Sequence, residues 1–378
     1  MNFNSIALSG VVRELAAQPD SDVVVVCEQE IPESRKRLGW VLPSMEGVEV
    51  ITLDRERWQR KVHQIIEERK RGVHLFNGGR NNYPRLHFAF LECYRRQITA
   101  GIIAEPPVNQ ETGWRRWAKA AYIKVALRRK ILPVARRAKF LLALTDPEDD
   151  SFLNLGWETE QIYPFGYFSD IAPDKELPRV SNQPPKLVYC GQFAPHKALA
   201  VLIRAAGAVR SQGHRFRLDL YGSGPLRDDL AHQIEQEGLE GTVVLREPVS
   251  NDLMAPVLRQ ADVLVAPGLD EPWGFAVNEG IQAGAAIVVS DGIRGGRSLV
   301  KYGRCGKIVR AGDVNDMARA IAELIGDRDC LLKFRQRAWE YSFRILPRVA
   351  AEYLSKIITH EQHGDTHRPI APWISEIT

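Results

Sequence analysis

The chain has 378 residues, 44% of them apolar and 26% charged, the make-up of a globular protein with length for about two domains. Five scattered cysteines without a CxxC pair indicate neither a disulfide framework nor a zinc site. The first ten residues lack the basic start and apolar core of a signal peptide, and no apolar run is long enough to span a bilayer, so a cytoplasmic setting is expected.

Net charge is +4, but ten of the 51 Lys and Arg fall within 114–139, which holds no acid, and the rest of the chain sets 41 cations against 47 acids. An anionic partner is therefore expected to meet this one stretch.

In chain order, Ser9-Gly10 followed by VVRELAAQ reads as the end of a loop and then a helix, which leaves Met1 to Leu8 as a poor first strand. Asp22-VVVVC and Val48–Thr52 read as strands, and Trp58–Arg71 as an amphipathic helix with Val62, Ile65 and Ile66 on one face. Val73-HLFNGG is a strand entering a glycine loop, with Asn77, Gly78 and Gly79 as site candidates, and Leu86–Tyr94 is a helix. Gly101-IIAEPP is a strand ending at Glu105, whose backbone is stiffened by the two prolines that follow. Trp114 to Lys139 reads as a basic amphipathic helix of about five turns that Pro133 breaks or kinks. Phe140-LLALT is another strand, and the Pro-rich polar segment 164–185 reads as a linker. The alternation argues for an α/β domain with a mostly parallel sheet.

In the second half, strand Leu187–Cys190 runs into Gly191-Gln192-Phe193. His196-Lys197 then precede a helix with Leu199, Leu202, Ile203, Ala206 and Val209 on one face. Strand Phe216–Tyr221 runs into Gly222-Ser223-Gly224-Pro225, which lacks the third glycine of a dinucleotide fingerprint because Arg227 stands there. A helix at 226–237, a strand at Thr242–Leu245 that ends beside Arg246-Glu247, and a helix at 252–260 follow. Gly295, Gly296, Gly303 and Gly306 punctuate a loop, helices near 314–325, 331–343 and 347–359 finish the fold, and 361–378 read as a loose tail.

The most informative stretch is 262–291. Val263–Ala266 and Ala286–Val289 are apolar runs of buried parallel strands, and between them lie a break at Pro267–Asp270, then Glu271, then Pro272 at the first position of a helix. Unpaired N–H groups from Gly274, Phe275, Ala276 and Val277 would face an anion such as a diphosphate. Glu271 lies just before the helix and Glu279 about two turns into it, so one carboxylate can hold a sugar hydroxyl and the other a ribose hydroxyl. Glu271 also suits a plain helix-start acid, but Glu279, among Ala276, Val277, Gly280, Ile281 and Ala283, sits poorly as a solvated one.

This string, E-P-W-G-F-x-x-x-E-G-x-x-A-G with the two acids in E-x7-E spacing, resembles the signature of the retaining family-4 glycosyltransferases, which have the GT-B fold. The resemblance extends over residues 186–345 and more weakly over the rest. It implies two Rossmann-like, doubly wound α/β domains facing a central cleft, with a C-terminal helix returning to the N-terminal domain. The acceptor domain would span 1–165, the linker 166–185, the donor domain 186–345, and the returning helix and tail 346–378. By the resemblance, Glu271 contacts the donor sugar and Glu279 the ribose. Gly191-Gln192…Lys197 resembles a G-R…K-G diphosphate element, with Lys197 matching, Gln192 in place of the Arg and Ala198 in place of the second Gly. Arg294 or Arg297 is suggested as the replacement cation. Gly222 and Gly224 resemble the G-x-G-P turn beside the nucleotide, Arg246 borders the base or forms a surface pair, and Glu105 orients or deprotonates the acceptor, meets the donor sugar, or is a plain turn acid.

The implied activity moves a hexose from a nucleotide-diphosphate sugar, UDP before GDP, to a glycan or lipid-linked saccharide of the bacterial polysaccharide type, with no catalytic metal and no nucleic acid. The basic stretch would hold the protein on an anionic membrane face, or else be a solvated scaffold helix. Two other classes compete: a GT-B-like partner subunit with a decayed site, which would fold but not turn over donor, and a nicotinamide-dependent oxidoreductase, which NAD(P) rather than UDP would stabilise.

Overall fold

The computed structural model describes residues 6–19, 21–28, 45–54, 56–78, 83–111, 113–176, 184–364 and 367–375. They gather into two compact units, one of Met1–Phe168 with Pro347–Pro372 and the other of Ser169–Leu346 with Trp373–Thr378.

The first unit opens on helix α1 (Ile6–Ala16). The Ser9-Gly10 loop expected from the sequence is corrected here, because both residues lie inside the helix. Leu8, Ser9 and Val11 are buried and α1 packs against the chain's last helix, Pro347–His363. That burial outweighs the roughly 1 kcal/mol cost of a helical glycine. Of the expected first strand, residues 1–5 lie outside the described residues and Ile6–Leu8 are helical.

Strand β1 (Val24–Cys27) pairs in parallel with β2 (Glu49–Thr52), and helix α2 (Trp58–Glu68) follows, ending three residues before the expected Arg71. Strands β3 (His74–Asn77), β4 (Ala100–Ala104), β5 (Phe140–Leu144) and β6 (Ile162–Phe165) form a four-stranded parallel sheet in chain order. Every residue of β4 and β5 is buried, as their unbroken apolar runs require. Strand β6 holds Pro164, which the sequence reads as linker; at a sheet edge a residue without an N–H is tolerated. Asn77 ends β3 and Gly78 follows it, and Gly79 lies outside the described residues.

Between β3 and β4 runs α3 (Pro84–Arg95). The basic stretch forms α4 (Gly113–Tyr122), one π-helical turn (Ile123–Leu127) and α5 (Arg128–Ala135). Pro133 does not break the helix as expected: it sits inside α5, whose last turn is held by burial of Ile131, Val134 and Ala135.

In the second unit, β7 (Lys186–Cys190), β8 (Arg217–Tyr221), β9 (Val243–Arg246), β10 (Val263–Ala266), β11 (Ala286–Ser290) and β12 (Gly306–Val309) form one parallel sheet in the order β12-β11-β10-β7-β8-β9. This is the doubly wound order whose direction reverses between β7 and β10, so ligands are expected outside the carboxyl ends of those two strands. A buried ion pair fixes the opposite end: Arg335 Nη1 lies 2.7 Å from Asp262 Oδ1 and its Nε donates to the Gly284 carbonyl at 3.1 Å. Asp262 Oδ2 accepts from the Lys186 N–H at 2.9 Å, which ties the start of β7 to that of β10.

Helices α6 (Leu199–Ser211), α7 (Arg227–Gln236), α8 (Asn251–Arg259), α9 (Phe275–Gln282), α10 (Arg294–Gly303), α11 (Val314–Gly326) and α12 (Arg328–Ser342) complete the unit. The glycines read as loop punctuation are instead points of close approach. Gly295, Gly296 and Gly303 lie in α10 and Gly306 opens β12. A Cβ would stand 2.3 Å from the Trp273 ring at Gly295, 2.6 Å from the Tyr341 ring at Gly303 and 1.9 Å from the Ile287 carbonyl oxygen at Gly306.

The C-terminal segment is tied down rather than loose. In the first unit, the Arg368 guanidinium lies 4.3 Å over the Tyr163 ring and donates to the Thr159 carbonyl at 3.3 Å. In the second, Trp373 is buried and its carbonyl accepts from the Tyr341 hydroxyl at 2.6 Å.

Candidate active site

The loops that leave β7 and β10 meet at the switch point. Lys197, from the turn before α6, places Nζ 2.6 Å from Glu271 Oε2. Lys197 is three-quarters covered and Glu271 is 8% exposed, so the pair is largely desolvated. The Leu269 N–H donates to the His196 carbonyl at 2.8 Å, which joins the two loops through their backbones. Burial, and next the Lys197 charge, hold the His196 imidazole below its ordinary pKa. Gly268 makes room for the acid: a Cβ there would lie 2.2 Å from Glu271 Oε1.

The segment around Glu271 corrects the expected helix start. Helix α9 begins at Phe275, not at Pro272. Glu271 to Trp273 are not helical: Glu271 is bridged in parallel to Ile293 and the chain bends at Pro272. The N–H groups of Arg294, Gly295 and Gly296, in the first turn of α10, donate to the carbonyls of Glu271, Pro272 and Trp273 at 3.1, 3.1 and 2.7 Å. A neighbouring helix thus captures these carbonyls and keeps Pro272 out of α9. The chain enters α9 through Gly274, in the left-handed region at φ +83°, where a Cβ would also strike Ile293 at 2.3 Å. The buried Trp273 indole donates to Asn278 Oδ1 at 2.6 Å and locks the turn onto α9.

The later start changes what α9 offers. The Val277 N–H is taken by the Gly274 carbonyl at 2.9 Å, so Phe275 and Ala276 carry the first-turn N–H groups without an intrahelical acceptor. Glu279 is the fifth residue of the helix, little more than one turn in rather than two. It is 9% exposed, and burial alone pushes its carboxyl up to about 7. Among the described residues its carboxylate has no hydrogen-bond partner. Its charge is felt by Cys190, at the carboxyl end of β7, whose thiol is pushed up by burial and then by Glu279.

Gly191, Gly222 and Gly224 serve a contact between the loops after β7 and β8. A Cβ at Gly222 would lie 1.9 Å from the Gly191 oxygen, and one at Gly224 would lie 2.5 Å from the Phe193 oxygen. The N–H groups of Gly191 and Phe193 donate to Tyr221 and Ser223 at 3.0 and 2.9 Å. Gln192 is exposed, and its carbonyl accepts from the buried Tyr189 hydroxyl at 2.9 Å. Arg246 Nε lies 3.1 Å from Asp219 Oδ1, a buried acid that also faces Arg217 and Lys186. Arg294 pairs with Asp270 at 2.7 Å, so a carboxylate already faces the suggested replacement cation.

In the first unit, Glu105 follows β4 and is exposed, and Tyr167, two residues past β6, donates to its Oε1 at 2.9 Å. Burial first, then Glu105, raises the Tyr167 phenol well above its ordinary value. The sequence reading missed Tyr167 and Asp270. The aromatic run Tyr163-Pro164-Phe165-Gly166-Tyr167-Phe168, too apolar for a linker, is the signal for the first; for Asp270 the only signal is its place beside Glu271. Among the described residues no group of three or more His, Cys, Asp or Glu is arranged to hold a metal ion, and no helix is long and apolar enough to cross a membrane.

Residues 184–327 match the family model described as glycosyl transferases group 1. A D-inositol 3-phosphate glycosyltransferase of Nocardia farcinica is 30% identical over 161 residues, 41% of this chain and 36% of that protein. The chain spans about a third of the length of that relative. The structure of HepE from Anabaena in complex with UDP aligns over 94% of this chain and 98% of its own, with a TM-score of 0.68 at 16% identity. WaaG, a glycosyltransferase involved in lipopolysaccharide biosynthesis, aligns over 95% of this chain and 97% of its own, with a TM-score of 0.59 at 15% identity. At such identities these structures speak to the fold, which is that of two Rossmann-like units of the GT-B type.

Proposed function

We propose that this chain, whose residues 184–327 match the family model of glycosyl transferases group 1 and whose fold is GT-B, is a retaining glycosyltransferase. It moves a hexose from a nucleotide-diphosphate sugar, UDP preferred, to a glycan or lipid-linked saccharide. Glu279 carries the reading: a buried carboxylate without a hydrogen-bond partner among the described residues, on the helix beside the switch point, is suited to accept from the two ribose hydroxyls. The N–H groups of Phe275 and Ala276 and the Lys197 ammonium meet the diphosphate, and the charge of the leaving group needs no metal ion. Lys197 turns from Glu271 to the phosphates, and Glu271 turns to the sugar hydroxyls. Glu105, oriented by Tyr167, serves the acceptor hydroxyl. The family match speaks against a nicotinamide-dependent oxidoreductase.

The protein works at the cytoplasmic face of a membrane. Trp114 and Trp117 are 76% and 79% exposed on α4, among arginines and lysines, and no residue of that helix is buried. That supports a peripheral contact with anionic lipid and a lipid-linked acceptor.

Calorimetric titration with UDP, followed by a UDP-release assay over a panel of UDP- and GDP-sugars with EDTA present, tests the reading. UDP binding that Glu279→Ala weakens, together with metal-independent release from one donor, is expected. Absence of UDP binding, or binding indifferent to Glu279→Ala, would overturn it.

A further inference from the structure

Helices α3 and α5 of the first unit leave a cavity of about 310 Å³ between them. Phe90 and Val134, both buried, form its floor, and Arg129, Lys130 and Arg137 form its rim, with His87 also on its wall. No carboxylate lines it, and among the described residues none of the three rim cations is ion-paired. Other cations of this unit are treated differently: Arg95 and Arg96 face Glu92, and Arg69 faces Asp22 and Glu49. Two of the rim cations are held in place by neutral groups. Arg137 lies 5.5 Å over the Tyr94 ring and donates to the Pro133 carbonyl at 2.9 Å, and Lys130 stands 6.0 Å over the Tyr122 ring.

Three cations around one cavity repel each other, and an anion placed among them removes that repulsion while accepting their N–H donors. We propose that this groove is a phosphate-ester site, with the phosphate between Arg129, Lys130 and Arg137 and the carbon skeleton of the ester on Phe90 and Val134. The apolar floor favours an ester over inorganic phosphate. Burial and then Arg137 hold the His87 imidazole below its ordinary pKa, and a phosphate dianion that offsets Arg137, Arg129 and Lys130 raises it. The ester is either a phospholipid headgroup or a free phosphate ester. The site adds a ligand to the membrane contact proposed above and does not depend on it.

Glycerol 3-phosphate is the probe. The full chain, labelled for histidine NMR, is titrated with it and with inorganic phosphate at low salt. The expected result is saturable binding that moves the His87 resonance and its titration upward, tighter for the ester. In the Arg129→Gln/Lys130→Gln variant the affinity falls at least about tenfold, while Arg115→Gln/Arg116→Gln, with the same charge removed from the exposed helix, keeps it. Both positions in the first variant are exposed, and an unchanged resonance of His74, in β3 of the same unit, reports that it is folded. Equal losses in the two variants, or an unmoved His87, would overturn the site and leave only diffuse attraction. Competition between glycerol 3-phosphate and phosphatidate vesicles identifies the lipid as the source. Binding of the soluble ester by a protein that ignores vesicles keeps the site and refutes the membrane contact.

Discussion

Lys197 and Glu271 stand 2.6 Å apart although 74 residues separate them in the chain. One comes from the loop after β7 and the other from the loop after β10, so the doubly wound topology, not local sequence, makes the pair. On the proposed function, the pair keeps a cation for the diphosphate with an internal counter-ion until the donor arrives. Lys197→Ala should weaken UDP and UDP-sugar together by about tenfold or more and flatten the salt dependence of binding. Glu271→Ala should lower turnover and leave UDP affinity equal or tighter, since Lys197 loses its competitor. Gly268→Ala should act like a mild Glu271→Ala, because its Cβ would displace Oε1 from 2.2 Å. Calorimetry beside UDP-release rates separates these outcomes, and a matching loss of UDP affinity in Glu271→Ala would count against the exchange.

Glu279 gives a pH prediction with a definite sign. Burial raises its carboxyl to about 7 in the folded protein, against about 4.3 for an unfolded glutamate. Between those values the folded state holds a proton that the unfolded state has lost, so stability falls as pH rises through the window. The integrated effect is on the order of 3 kcal/mol. Glu279→Gln should therefore gain on the wild type in urea unfolding between pH 5 and pH 8. UDP affinity should rise over the same interval in the wild type, as the ionised acid becomes available, and stay flat in the variant. A stability difference independent of pH would show that Glu279 titrates like a solvated acid.

Ala198 caps α6 with φ +54°. A β-carbon in that region costs roughly 1–2 kcal/mol, while glycine adds roughly 0.4–1 kcal/mol of unfolded-state entropy. Ala198→Gly should raise the urea midpoint by an amount worth about 0.5–1 kcal/mol. A lower midpoint would show that the buried methyl contributes more through packing than its conformation costs.

What the sequence discloses and what it hides divide along a physical line. The central strands Val263–Ala266 and Ala286–Ser290 are legible because a strand buried on both faces needs an unbroken apolar run. The acids of the E-x7-E string are legible because their spacing is local. The start of α9 is not, because Pro272 suits a first helical turn and the N–H groups of α10, more than twenty residues on, bond its segment's carbonyls and keep it out of the helix. Gly295 and Gly303 mislead for a similar reason, since the rings that demand them, Trp273 and Tyr341, come from elsewhere in the chain. Tyr167 is hidden by the prolines around it, and its partner Glu105 lies 62 residues away.

The exposed rings of α4 make the proposed membrane contact testable residue by residue. Trp114 and Trp117 stand on the same helix as Arg115, Arg116 and Lys119, with the cations of α5 beyond the π turn. On an anionic surface each cation contributes about 1 kcal/mol, so a few suffice for reversible attachment, and the indoles settle at headgroup depth. The chain has eight tryptophans, so the signal is read as the difference between wild type and Trp114→Phe/Trp117→Phe. Vesicles containing anionic lipid should shift that difference emission to the blue and protect it from an aqueous quencher, and salt should reverse both. Replacing Arg115, Arg116, Arg128, Arg129 and Lys130 by Gln should abolish co-sedimentation with the vesicles and leave UDP binding intact. Attachment at the same salt to neutral vesicles would mean that the rings alone drive it. An unshifted difference spectrum at low salt would mean that α4 is a solvated helix, and the acceptor would then have to be sought among soluble saccharides.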